Sequence, residues 1–155
     1  MTTRREFLVL ACGAFATAAE AQLDPSQEAL RRAAFREAVR KVTGGAPVSR
    51  GRVKLDLPPL IDNGNTVPLS VSVESPMTGA DHVRAIHVFT EKNPQPNVLS
   101  GHLGPRAGRA SLVTRVRIAD TQTVTAIAQL SDGTFWSDSV HVVVTLSACL
   151  EDGLI

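Results

Sequence analysis

Tyrosine is absent, and aromatic residues make up only 4% of the 155 residues. Any core must therefore be packed from Val, Ile, Leu and Ala. Cysteine is nearly absent as well. Cys12 and Cys149 are the only two, too few for a disulfide framework or a paired CxxC site. No phosphate loop, HExxH pair or Gly-x-Ser-x-Gly elbow occurs, which removes the commonest signals for nucleotide, zinc-hydrolase and serine-hydrolase chemistry. The histidines, His82, His87, His102 and His141, stand singly with no two at a ligand-type spacing. No metal and no cofactor is expected. A strong charge of either sign is missing too: the net charge is +1. Arg4, Arg5, Glu6 and Glu20 cancel within residues 1–21, so losing that segment would leave the balance unchanged. A phosphate-binding surface needs far more positive charge, and nucleic acid is not expected as a partner.

Long apolar runs are also missing. Val9 to Ala19 is weakly apolar, softened by Gly13, and too short for a permanent span. Its flanks read as an export signal: Thr3-Arg4-Arg5-Glu6-Phe7-Leu8 has a twin-arginine pattern, and Ala19-Glu20-Ala21 is a small-x-small cleavage site before Gln22. A rival reading takes Val9-Leu10-Ala11-Cys12 as a lipoprotein box, but the apolar run continues past Cys12. The expected mature chain starts near Gln22, lies in the periplasm and has no membrane attachment after cleavage.

What remains is ordinary for one globular domain, with 43% apolar and 20% charged residues. Residues 22–45 read as a helix. Asp24 suits the cap, Pro25 the first turn and Gln27 the capping box, while Gly44-Gly45 and Pro47 stop it. Leu30, Ala34, Phe35, Ala38, Val39 and Val42 form its apolar face, interrupted by Arg31. Arg32, Arg36 and Arg40 recur on the other side, either a solvated face or an anion site.

From Arg52 the period becomes two. Val53 to Leu57, Val67 to Val73, Val83 to Phe89, Ala110 to Ile118, Val124 to Leu130 and Ser139 to Leu146 read as strands. Turn clusters separate them: Asp62-Asn63-Gly64-Asn65, Ser75-Pro76-Met77-Thr78-Gly79, Asn93-Pro94-Gln95-Pro96, Gly104-Pro105 and Asp132-Gly133. Short strands without intervening helices predict a mainly β fold, an antiparallel β-sandwich over residues 46–146 behind the N-terminal helix.

Residues 147–155 follow the last expected strand and carry Cys149. With Cys12 removed, Cys149 has no internal partner, and an odd thiol in an exported protein needs an explanation. It is either a thiol held out on a short arm or a small apolar residue buried at a strand end. Glu151 and Asp152 disfavour a further negative charge on its sulfur. No neighbour in sequence offers a base, so a self-activated thiol enzyme is not indicated.

The order of motifs resembles the SoxY family, the sulfur-carrier subunits of periplasmic thiosulfate oxidation. The resemblance covers about Leu57 to Leu146. It is carried by Asp62-Asn63-Gly64-Asn65-Thr66-Val67-Pro68, Ser75-Pro76-Met77 and Asn93-Pro94-Gln95-Pro96, then by Thr114-Arg115-Val116-Arg117-Ile118-Ala119, Gln122-Thr123-Val124 and Asp132-Gly133-Thr134-Phe135-Trp136. It implies an immunoglobulin-like sandwich, no catalytic residue of its own, and covalent attachment of sulfur intermediates at Cys149. It also implies a SoxZ-like subunit as heterodimer partner and periplasmic sulfur-processing enzymes that act on the cargo. The arm departs from the family's Gly-Gly-Cys-Gly-Gly pattern: Ser147-Ala148-Cys149-Leu150-Glu151 resembles a related subgroup with Ala-Ala-Cys-Ile-Glu. A β-carbon on each neighbour makes the arm wider and stiffer than a glycine arm. The alternative is a sandwich that serves only binding or assembly and keeps no more than its dimerisation surface.

Overall fold

The computed structural model describes residues 25–146. Helix α1 spans Pro25–Thr43. It ends where Gly44 and Gly45 take positive φ, a backbone turn that side chains resist. Nine strands follow: β1 (Val48–Arg50), β2 (Val53–Asp56), β3 (Leu60–Ile61), β4 (Val67–Val73), β5 (Val83–Thr90), β6 (Asn97–His102), β7 (Ala110–Val116), β8 (Gln122–Leu130) and β9 (Phe135–Val144). They build two sheets. The larger runs β1-β9-β8-β5-β6 with β3 also on β9; the smaller runs β2-β4-β7. The expected β-sandwich with an N-terminal helix is the observed fold.

The alternating residues face inward as their period requires. Val53 and Leu55 of β2, and Val67, Leu69 and Val71 of β4, meet Ile86, Val88, Val124, Ala126, Ala128 and Val142 of the larger sheet. Both faces of β5 are covered, so its burial is nearly continuous. Its outer face joins a second cluster in which Phe89, Ile127 and Phe135 receive Phe35, Ala38, Val39 and Val42 from α1. Phe35 and Phe89 meet edge to face, centroids 6.2 Å apart, a geometry contributing about 1 kcal/mol beyond buried area.

Several details differ from the sequence reading. Leu30, expected on the buried face, is exposed, because contact with the sheet begins at Phe35. Arg31, which interrupts that face, holds Nη1 out of solvent with no hydrogen-bond partner among the described residues. Two pairings are parallel, β1 and β3 each against β9. These segments are three and two residues long, too short for a period to register. Strand β6 was also not expected; its residues are half-buried or exposed, and none is buried. The last strand starts at Phe135, not Ser139. Its early part looks polar because Asp138 faces β2, where its Oδ2 accepts the Leu55 N–H at 2.9 Å.

His87, on the outer face of β5, is buried. Its Nδ1 lies 2.8 Å from the Ser100 hydroxyl, and its ring is 6.0 Å from His102. Burial first, then the charge of His102, hold it below the usual imidazole range. An unfolded chain thus takes up this proton first as pH falls. The contribution of His87 to stability is complete above about pH 6.5, the unfolded value, and is lost as pH falls toward the folded value. The urea midpoint of wild type should fall between about pH 7 and 5, and the difference from His87→Gln should shrink over that window. A difference independent of pH would contradict this.

Candidate functional site

Cys149, Cys12, Arg4, Arg5, Ala19 and Ala21 lie outside the described residues. The described chain ends at Leu146, three residues before Cys149. Strand β9 ends at Val144, but the backbone stays anchored for two more residues. The Thr145 N–H donates to the Ile61 carbonyl at 2.9 Å, and the Gly64 N–H donates to the Leu146 carbonyl at 3.0 Å. The Gly64 carbonyl in turn accepts from the Ile118 N–H at 2.8 Å. Thr145 adds hydroxyl contacts to the Ile61 and Asp62 carbonyls at 3.4 and 3.3 Å. The turn that presents Gly64 is fixed by Asn63, whose Oδ1 accepts the Asn65 N–H at 2.9 Å, an Asx turn. Asp62-Asn63-Gly64-Asn65 is therefore a clamp on Thr145 and Leu146, the last described residues before Cys149.

Beside this clamp a buried polar network ties the loops of the same pole together. Asn93 Nδ2 donates to the Arg117 carbonyl at 2.8 Å. Asn93 Oδ1 accepts from the Ala119 N–H and from Gln122 Nε2, both at 2.9 Å. Gln122 Oε1 accepts the Lys92 N–H at 2.7 Å. Thr121 completes the link: its hydroxyl accepts the Val144 N–H at 3.0 Å. Lys92 and Asp120 form a half-exposed ion pair at 3.2 Å. Four of the motif stretches named above thus converge on the end of the sandwich that holds Thr145 and Leu146. The remaining two lie at the opposite pole. There the Ser75 hydroxyl accepts the Met77 N–H, and Asp132 Oδ1 accepts from both the backbone and hydroxyl of Thr134. Trp136 Nε1 donates to Thr134 Oγ1, and Arg52 stacks over the indole at 5.6 Å.

The other candidates do not assemble into a site. His87 and His102 are neighbours, whereas His82 lies against the Thr78 carbonyl and His141 is exposed on β9. No group of three or more His, Cys, Asp or Glu is placed to hold a metal among the described residues. Arg32 and Arg40 pair with Glu28 and Glu37 on their own helix, so the arginine row is mostly a solvated, internally paired face. A groove of about 640 Å³ runs between α1 and β6, past Glu37, Lys41 and Ser100, and carries no convergent acid–base set. No helix among the described residues is long and apolar enough to cross a membrane.

What the sequence did not signal is an apolar corner beside the clamp. Leu60 and Val143 are paired across β3 and β9 and expose 59% and 43% of their surface; Leu146, the last described residue, exposes 61%. A strand of two residues leaves no periodic trace, so only the structure shows which of its two residues faces out.

Removing the centre of the polar network should be costly. Asn93→Ala leaves the Ala119 N–H, the Arg117 carbonyl and the Gln122 amide short of partners in a buried site, for a loss of about 3 kcal/mol. Thermal unfolding should come about 10 °C earlier. A change within a degree or two would mean water replaces Asn93 without cost.

Comparison with known proteins agrees with this geometry. The family model for the sulfur oxidation protein SoxY matches residues 39–149, well over half of the chain. No curated protein matches the sequence. Among solved structures, the sulfur carrier protein SoxY from Chlorobium limicola f thiosulfatophilum is 25% identical. It matches with a TM-score of 0.62 over 74% of this chain and 98% of its own. A superoxide reductase (neelaredoxin) from Ignicoccus hospitalis is similar at 15% identity and a TM-score of 0.55, covering 61% of this chain and 80% of its own. A putative superoxide reductase from Thermotoga maritima matches at 20% identity, a TM-score of 0.52 and coverage of 63% and 87%. The two reductases share the sandwich fold. The chain is a member of the SoxY family.

Proposed function

We propose that the protein is an exported sulfur carrier, holding sulfur-containing intermediates covalently on Cys149 while separate enzymes act on them. One observation supports this most strongly: the family match runs through residue 149, the cysteine itself. The anchored root adds to it. With the backbone tied down as far as Leu146, Cys149 stands three residues further on. At roughly 3.3 Å per extended residue its reach is about 10 Å. That suits a shallow pocket on another protein.

The chemistry of the arm fits a passive thiol. Glu151 and Asp152 oppose thiolate formation, so an enzyme that loads or unloads the sulfur has to supply positive charge in its own pocket. Ser147, Ala148 and Leu150 give the arm the girth that glycines would avoid. The accepting pocket is accordingly wider than one shaped for glycine, and this sets the protein apart from glycine-armed thiosulfate carriers. Export by the twin-arginine route, with cleavage before Gln22, would deliver it to the periplasm already folded.

A SoxZ-like subunit is proposed as the constant partner. Among the described residues β6, β7 and β2 each pair on one side only, and sandwich edges of this kind invite cover. Alone, the protein should self-associate or sediment heterogeneously, and an added SoxZ-like subunit should convert it to one heterodimeric species. A monomer indifferent to that subunit would contradict the partnership.

Cys149→Ser should abolish sulfur loading and leave the fold intact. A residue beyond the anchored root contributes little packing, so stability should change by no more than about 0.5 kcal/mol, for Ser and Ala alike. Loss of loading without a shift in melting supports the carrier reading. Normal loading in Cys149→Ser, or a marked loss of stability with Ser alone, would refute it.

A further inference from the structure

We infer that the exposed apolar corner formed by Leu60, Val143 and Leu146 is the docking surface for the enzymes that process the thiol. This inference rests on the carrier reading and adds the place where those enzymes must touch.

The Leu146 carbonyl is held by the Gly64 N–H, and Thr145 is held by its N–H and hydroxyl to Ile61 and Asp62. The anchored backbone thus extends to Leu146, the pivot from which reach to the thiol is measured. Three residues separate the pivot from the thiol, about 10 Å when extended. An α-helix with its side chains is itself about 10 Å across, so no enzyme can engulf Cys149 while keeping its body clear of the pivot. The surface around the pivot must be covered whenever the thiol is engaged.

That surface is apolar where a free surface would not need to be. Leu60 and Val143 are register partners on β3 and β9, side by side on the outer face, while their neighbours Ile61 and Val144 point into the core. Leu60, Val143 and Leu146 together account for three of the six large hydrophobic residues that are exposed among the described residues. Leu60 and Val143 are adjacent, Leu146 follows three residues after Val143 along the chain, and withdrawing large aliphatic side chains from water favours association. His141 lies two residues before Val143 on the same face, opposite Thr123, and gives the patch a polar margin. An apolar centre with a polar margin is the usual anatomy of a protein contact. The occupant is then an enzyme whose thiol-accepting pocket opens through an apolar rim.

The test uses the full-length protein expressed at its natural level in the source organism, and reads the fraction of Cys149 carrying a reductant-sensitive adduct by intact mass. Leu60→Asp combined with Val143→Asp puts two charges where the rim must sit. Docking would then strip unpaired charge of water, and loading should fall at least tenfold. Leu60→Lys alone should act in the same direction, since either sign is penalised. Six Gly and Ser residues inserted between Leu146 and Ser147 extend the reach to about 30 Å. In the charged double variant this insert should restore most of the loading, because the enzyme no longer has to approach the corner. Melting temperature, and the rate of Cys149 alkylation by iodoacetamide, should match wild type in each variant; Leu60→Lys keeps the test open if the double variant fails to fold.

Wild-type loading in the charged variants would overturn the inference and leave the carrier reading standing. So would a loss that the insert does not relieve. If sedimentation shows that the variants instead lose a second copy of the chain or a SoxZ-like subunit, the corner belongs to that partner and the inference is also overturned. A wild-type protein that never carries an adduct refutes the carrier reading, and this inference with it.

Discussion

Two backbone hydrogen bonds on Gly64 fix the end of the described chain against the sandwich. Gly64 donates to Leu146 and accepts from Ile118, so the turn after β3 holds both the outgoing chain and the β7–β8 connection. Each such bond contributes only about 1 kcal/mol net. Their importance is geometric: they carry the anchored backbone past the end of β9 to Leu146, three residues before Cys149 in sequence.

The sandwich divides its work between two kinds of packing. Aliphatic side chains from the two sheets fill the middle, a non-directional contribution that tolerates exchange among Val, Ile and Leu. The pole that holds Leu146 is instead tied by Asn93, Gln122 and Thr121, whose hydrogen bonds are directional and penalise any displacement. Helix α1 covers only part of the outer face, through Phe35 against Phe89. The rest of that face, toward Val143, is left to solvent or to a partner.

Much of this was legible before the structure. Val67-Leu69-Val71-Val73 alternates cleanly and becomes β4, whose inward residues are all buried. The turn clusters were legible because Gly, Pro and Asn have few other uses at such density. What stayed hidden has physical reasons. Asp138 looks like a loop residue until β2 arrives to use its carboxylate. Leu60-Ile61 is too short to show a period. Leu30 lies in the right helical sector but beyond the part of the helix that meets the sheet. The sequence singled out the thiol and the motifs near it; the clamp of Gly64 on Leu146 required the pairing of distant segments.

The central claim, that Cys149 carries sulfur, is tested most directly by mapping the modification on the native protein. Peptides from protein isolated from its natural compartment, digested without reductant, should show the one containing Cys149 heavier by whole sulfur atoms or their oxidised forms. The added mass should vanish after reduction, and no other peptide should change. A Cys149 peptide of unmodified mass in cells actively oxidising reduced sulfur would contradict the account.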